Sequence, residues 1–411
     1  MDSELSLRTG TAGDWEQISR LMGVLFHSAD EEDLRDVEGA VFEPDRSLVA
    51  TDGDEIVGHA AAYTRDLTVP GAVLPAAHVT LVGVAPTHRR RGLLSRMMRR
   101  QLAEIAAAGR EPIAVLWASE TRIYPRYGYG LAAQRLTAEM MTREVSVPAA
   151  EPPAPGTRLR LVRPAEAIAE FAKVYEELRP DRTGWSSRDD RWWRFVLADL
   201  PPLREGGTPL QGVVHETPHG PTGYALWRTK EKWEAHGPDA TVHVREVVAA
   251  DPGTYAALWR FLLGIDLVRT ATASFLSVDE PLQHLVDEPR RLGLRVLDGL
   301  WVRIADLPGA LAARRYAADV DVVLDVTDPL LPANTGRWRL TGGPGGAACT
   351  PTTDPADLAG TVLELGAAYL GGTTLTTLAA AGRVRELTAG SLVRASAAFG
   401  WHRSPNPTEV F

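Results

Sequence analysis

Residues 79–97 read VTLVGVAPTHRRRGLLSRM. An apolar run closes at Pro86 and a basic turn follows. Gly92 then opens a segment whose Leu94, Met98, Leu102 and Ile105 fall on one helical face before Gly109 stops it. A helix start leaves backbone N–H groups without acceptors, and its dipole favours an anion there. Gly92 lets a diphosphate approach the backbone, and Arg89, Arg90 and Arg91 add positive charge. A solvated arginine-rich surface turn is the plainer reading. The order strand, turn, glycine, helix argues for the anion site instead.

Working outward, the first ~150 residues alternate strand and helix signals, as in a mixed α/β domain. LSLRTG reads as a strand, and Asp14 is placed to cap a helix carrying Ile18, Leu21, Met22 and Leu25. Asp52-Gly53 joins two strand runs as a hairpin, and PIAVLWAS is a buried strand. YGLAAQRLTAEMM reads as a last strand or pair. SVPAAEPPAPG, residues 146–156, marks a linker. The element order then repeats: LRLVRP, AEAIAEFAKVYEELR, a hairpin in VVHETPHGPTGYALWRTK, the strand TVHVREVVAADP and the helix GTYAALWRFLLGID. This second copy has no arginine-glycine run. From about Asp306 a helix, three strand-like runs and further helices, beginning with DPADLAGTVLELGAAYLGG, predict an α+β domain, and HRSPNPTEVF an extended tail. The expected division is 1–148, 149–304 and 305–411.

Composition narrows the function classes. The chain has 411 residues, 45% hydrophobic and 24% charged, an ordinary globular balance. The net charge of −9 argues against general nucleic-acid binding and favours cationic partners. Asp30, Glu31, Glu32, Asp33, Asp36, Glu38, Glu43 and Asp45 form an acidic run, read either as a solvated helix face or as a rim that draws in a polyamine. No apolar run reaches the ~20 residues of a membrane helix, and MDSELSLRTG lacks the marks of a secretory signal. Cys349, the single cysteine, allows no internal disulfide and reads as incidental. A reducing, cytoplasmic location is expected. No His/Cys cluster has metal spacing, and His88 reads as solvated.

The segment at Arg89, Gly92 and Leu94 resembles the R/Q-x-x-G-x-G/A motif of the GNAT N-acetyltransferases, with Leu94 in place of the usual small residue. APTHRRRGLL, then SE, then IYPRYGYG (Ile123 to Gly130) is similar to the enhanced intracellular survival (Eis) family. The resemblance covers the whole chain. It implies an active GNAT domain, a degenerate second one and a sterol-carrier-like α+β domain. It further implies acetyl-coenzyme A as donor, aminoglycosides or other cationic amines as acceptors, and a homo-oligomer, a hexamer. Position by position, Val82, Gly83 and Val84 would pair with the pantetheine arm, and Arg90, Arg91, Gly92, Leu93, Leu94 and Ser95 would cradle the pyrophosphate. Ser119 and Glu120 would line the same site, Tyr124 would be the general acid, and the carboxylate of Phe411 the base.

Chemistry makes those roles reasonable. A protonated amine cannot attack a thioester until it loses a proton, and coenzyme A leaves as a thiolate that a tyrosine O–H can protonate. An α-carboxylate, with an ordinary pKa of ~3.3–3.7, holds an ammonium group well but is a weak base alone. Spacing does not separate Tyr124 from Tyr127 and Tyr129, which read as packing aromatics, and Phe411 also reads as a frayed end. Val410 stands where some relatives carry an acid, with Glu409 adjacent. His27 and Ser28 stand where an acidic contact is expected, with Asp30 as a substitute. Trp117, Trp185, Trp192 and Trp193 read mostly as core. Acetylation of protein lysines, or plain binding of a lipid or coenzyme A, are the alternative functions.

Overall fold

The computed structural model describes residues 5–28, 31–148 and 155–411. Asp30 and most of the proline-rich linker lie outside them. The first layer begins with β1 (Ser6–Thr9), α1 (Trp15–Phe26) and α2 (Glu32–Gly39). It continues with β2 (Ser47–Asp52), β3 (Glu55–Val69), β4 (Ala72–Val84), α3 (Leu93–Ala108) and β5 (Ile113–Trp117). The hairpin β2–β3 turns at Gly53, whose φ of 59° suits glycine. Asp14 precedes α1 but does not cap it. Its carboxylate turns back to Arg8, at 2.7 and 2.8 Å, and to the N–H of Thr11.

Two seven-stranded sheets share one strand order. The first runs β1-β2-β3-β4-β5, then Leu300–Ile304, then Gly130–Leu131. The second runs Arg158–Val162, Gln211–Thr217, Gly220–Lys230, Ala240–Ala249, Val268–Leu276, then Gln134–Met141 and Arg295–Asp298. The halves therefore trade their sixth strands. Gln134–Met141, expected in the first domain, pairs with Val268–Leu276, while Leu300–Ile304, expected in the second, pairs with β5. A boundary at 148 thus cuts across the sheets, because periodicity identifies a strand without naming its partner.

The last domain is a five-stranded sheet flanked by helices. The expected helix over DPADLAGTVLELGAAYLGG is shorter. Leu358–Thr361 is a strand, and the helix starts only at Val362, fixed by a capping box between Thr361 and Glu364. The core of this domain is continuous with one side of the first sheet, where Leu67, Val115 and Ile304 pack with Leu324, Leu365 and Phe399. Buried Arg303 of the first sheet bridges both oxygens of Asp328 at 2.7 and 2.8 Å. No helix among the described residues is long and apolar enough to cross a membrane.

Candidate active site

The site begins with a fork in the first sheet. β4 pairs in parallel with β5 only from Ala76 to His78. Past that point no ladder joins the two strands, leaving one edge of Val82, Gly83 and Val84 without a neighbour. A bulge marks the same place: Ala61 faces Thr80 and His59 faces Gly83, so Leu81 and Val82 oppose Ala60 alone. Leu81 takes a φ of 50°, and its carbonyl accepts from Nδ1 of buried His59 at 2.8 Å. With Nδ1 as donor, Nε2 is a bare acceptor, and it has no partner. Burial pushes the His59 pKa down to about 4, so the ring stays neutral and holds the bulge. A side chain at 83 would collide with Leu25 of α1.

The chain then turns into α3. His88, expected to be solvated, locks this turn through Nε2 to Asp52 at 3.0 Å and Nδ1 to Thr87 at 2.8 Å. Arg90 and Gly92 both adopt left-handed backbone, with φ of 65° and 77°. The first helical bond runs from Arg96 N–H to Gly92 O at 3.0 Å. The N–H groups of Leu93, Leu94 and Ser95 thus have no acceptor within the helix, and no side chain caps it. A Cβ at Gly92 would meet nothing within 4 Å, so the space before these donors is open. Arg89, Arg90 and Arg91 are exposed around it. An open, uncapped helix start ringed by guanidinium groups suits a phosphate ester.

The three tyrosines part company. Tyr127 bonds the Ser95 hydroxyl at 3.0 Å, tying the turn Tyr124–Tyr127 to the start of α3. Tyr129 is fully buried with an unpartnered hydroxyl. Tyr124 is 7% exposed and packs edge-on against Tyr129. Burial, reinforced by nearby Glu120 and Tyr127, pushes its pKa up to about 12, so it keeps its proton at neutral pH. Ser119 and Glu120 are exposed in the turn after β5.

The chain end is docked. The Phe411 ring stands edge-on to His78, centroids 4.6 Å apart, and its main-chain oxygen accepts from Thr80 Oγ1 at 2.8 Å. Thr80 lies two residues before Val82, which places the terminus at the fork. Val41, Tyr63 and Trp192 complete the ring's surroundings. His78 is itself fixed: Nδ1 donates to Ala76 O at 2.9 Å and Nε2 accepts from Ser186 Oγ at 2.8 Å. Glu409, the acid adjacent to Val410, is committed elsewhere. It bridges Arg65 at 2.5 Å and Arg188 at 2.7 Å, and Arg188 also holds Glu246 at 2.7 Å. Desolvation would raise the Glu409 pKa, but these guanidinium groups outweigh it and hold it low, leaving a poor base. This buried network was missed in the sequence. Its only trace is arginine on the buried face of β3 and glutamate near the end of the chain.

His27 ends α1 in left-handed backbone, with a φ of 55°. Cys349 is buried and its thiol is pushed up to about 12 by burial, consistent with an inert residue. Among the tryptophans, Trp193 and Trp185 pack on Tyr175 inside the second domain. Trp192 packs against Arg65, and Trp117 against Phe275, across the joint between the two sheets. No group of His, Cys, Asp and Glu among the described residues is placed to hold a metal ion.

The second domain repeats the frame with a different helix start. Asp251 caps the helix Pro252–Leu263, accepting from the Thr254 N–H at 2.9 Å and from its hydroxyl at 2.6 Å. Pro252 has no N–H to offer. A fixed carboxylate thus stands where the first domain leaves open space, and it repels a phosphate.

Comparison with known proteins finds two acetyltransferase domains and a third of another family. Residues 6–132 and 184–304 each match an acetyltransferase (GNAT) domain family, and residues 307–406 match the sterol carrier protein domain. An uncharacterized N-acetyltransferase of Streptomyces avermitilis is 46% identical over 396 residues, 94% of each chain. N-acetyltransferase Eis of Mycobacterium tuberculosis is 37% identical over 377 residues, 86% of this chain and 88% of that one. The crystal structure of Eis1 from Mycobacterium abscessus superposes with a TM-score of 0.84 at 32% identity, covering 99% of this chain and 100% of that one. The three-domain order therefore has full-length counterparts, and the chain belongs to the Eis family of GNAT N-acetyltransferases.

Proposed function

We propose that this N-acetyltransferase takes its acetyl group from acetyl-coenzyme A and passes it directly to amines of cationic small molecules, aminoglycosides being the class implied by the family. The bound donor would supply a thioester. Val82, Gly83 and Val84 would pair with its pantetheine arm, and Arg90, Arg91, Gly92, Leu93, Leu94 and Ser95 would receive its pyrophosphate, with Ser119 and Glu120 alongside. The Phe411 carboxylate holds the acceptor ammonium and takes its proton, while Tyr124 gives a proton to the departing sulfur. The observation that carries this reading is the meeting of three features at one fork: a free strand edge, an uncapped helix start and a seated chain end.

Glu31, Glu32, Asp33, Asp36 and Asp45 are solvent-exposed, and Val41, just beyond α2, packs beside the Phe411 surroundings. That placement favours the acidic rim as a guide for cations. A lipid-binding role gains little support, since the apolar cavity by Leu324, Leu365 and Leu375 measures about 20 Å³, room for about one water. A homo-oligomer, a hexamer as the family resemblance implies, is part of the proposal. Light scattering that finds only a 44.5 kDa particle at micromolar concentration would refute it. The activity test is thiol release from acetyl-coenzyme A across aminoglycosides, polyamines and lysine peptides. Turnover greatest with aminoglycosides is expected, and turnover with lysine peptides alone would overturn the acceptor class.

A further inference from the structure

The second sheet has a fork of its own. Its parallel ladder between Ala240–Ala249 and Val268–Leu276 stops at the pair Val244/Ala273. On the other edge Trp227 faces Val244 and Leu226 faces Glu246, which makes Arg245 the extra residue of a bulge. In a regular strand Arg245 and Glu246 would point to opposite faces; here both line one cavity of about 200 Å³. Phe195, Val196, Phe275 and Val410 supply its apolar walls, and the tail residues Thr408 and Glu409 close one side.

The cavity lining sets Arg188 and Arg245 against Glu246 and Glu409, but both carboxylates are taken up without Arg245. Arg188 is spent on Glu246 and Glu409, each at 2.7 Å, and Arg65 takes the other oxygen of Glu409. Arg228, whose charge acts on Arg245, pairs with Asp199 at 3.0 Å. Arg245 makes no hydrogen bond or ion pair among the described residues, though it is largely withdrawn from water. Desolvation and then Arg228 lower its pKa, yet a guanidinium stays charged at neutral pH. Glu246 and Glu409 attract Arg245 across the cavity but neither bonds it, and a desolvated guanidinium with unfilled donors is costly; an anion bound directly to it would relieve that cost.

We propose that this cavity binds a small organic anion, a carboxylate with a short apolar or aromatic body, paired with Arg245. The size agrees, since an apolar cavity of roughly 150 Å³ already accommodates benzene. The carboxylate would take the guanidinium fork, and the body would lie between Phe195, Phe275 and Val410. The anion is either a separate effector or the acidic end of an acceptor whose amine reaches the neighbouring Phe411.

The test is calorimetric titration of the full chain, without acetyl-coenzyme A, using benzoate and its uncharged isostere benzamide. Benzoate should bind at one site per chain, about ten- to a hundredfold more tightly than benzamide, the range of a hydrogen bond to a charged partner. Arg245→Gln should erase that preference and Arg245→Lys should keep part of it. No benzoate binding, equal affinity for benzamide, or undiminished benzoate binding by Arg245→Gln would each overturn the proposal. The benzoate–benzamide comparison on the unaltered chain decides even if Arg245→Gln fails to fold. Repeating the titration beside a lysine peptide with a free carboxylate separates the two sources. Competition assigns the carboxylate to the acceptor, and simultaneous binding assigns it to an effector. Because no step needs turnover, failure here leaves the acetyl-transfer reading untouched.

Discussion

The two seven-stranded halves share a strand order, a fork and a helix after the fork, and they differ most sharply in what fills the first turn of that helix. In the first, left-handed Arg90 and Gly92 swing the backbone so that free N–H groups face open space. In the second, Asp251 and Pro252 consume or delete the same donors. Shared topology therefore carries no shared chemistry. A phosphate site needs unsatisfied donors, and one well-placed aspartate satisfies them at home. The second half keeps a task of another kind. Through Arg188 and Glu246 it grips Glu409, and so sets where Phe411 ends.

That contrast can be broken at several points. The largest effect belongs to the first fork. Tyr124→Phe should lower kcat on the order of 10²–10⁴-fold with little loss of stability. Tyr127→Phe, which removes the bond to Ser95, should appear mainly in KM for acetyl-coenzyme A, and Tyr129→Phe should be mild. Equal kcat losses at all three would remove Tyr124 from its role. Next comes the joint between the halves. Glu409→Gln leaves buried Arg65 without a carboxylate and Arg188 with Glu246 alone, so it should cost about 3–5 kcal/mol in denaturant unfolding and displace the tail. A loss below about 1 kcal/mol would show that the tail is held otherwise.

Acid probes the fork's frame. Burial depresses His59 to about 4 and His78 to about 3, so below pH ~6.5 the unfolded chain takes up protons that the folded one refuses. Stability should fall as pH drops from ~6.5 toward ~4, with a slope approaching ~1.4 kcal/mol per pH unit for each histidine. A flat melting temperature across that window would mean that these rings are charged in the native state. The smallest effect lies in the second half: Asp251→Ala should cost ~1 kcal/mol, the usual loss of a helix cap, and leave turnover unchanged.

Much of this was legible in the sequence because it is local. Gly92 after a basic turn, the linker and the repeated element order are written in consecutive residues. What escaped depends on distance along the chain. The exchange of Gln134–Met141 for Leu300–Ile304 joins residues far apart, and each strand alone has the same apolar pattern whichever sheet it enters. Nothing local marks Arg65, Arg188 and Glu246 or joins them to Glu409 until folding buries them together. Asp251 was in view, in VVAADPG, yet its meaning came only from the Thr254 N–H it occupies.

If one fork per chain binds the donor, the count of bound donor per subunit is fixed at one. Isothermal titration of the full chain with acetyl-coenzyme A should give one site per subunit. Arg90→Glu combined with Gly92→Asp, which writes the second half's carboxylate into the first, should abolish binding while the free protein stays folded. Asp251→Ala should leave the count at one. Two sites per subunit in the unaltered protein, or undiminished binding in the double variant, would contradict the account.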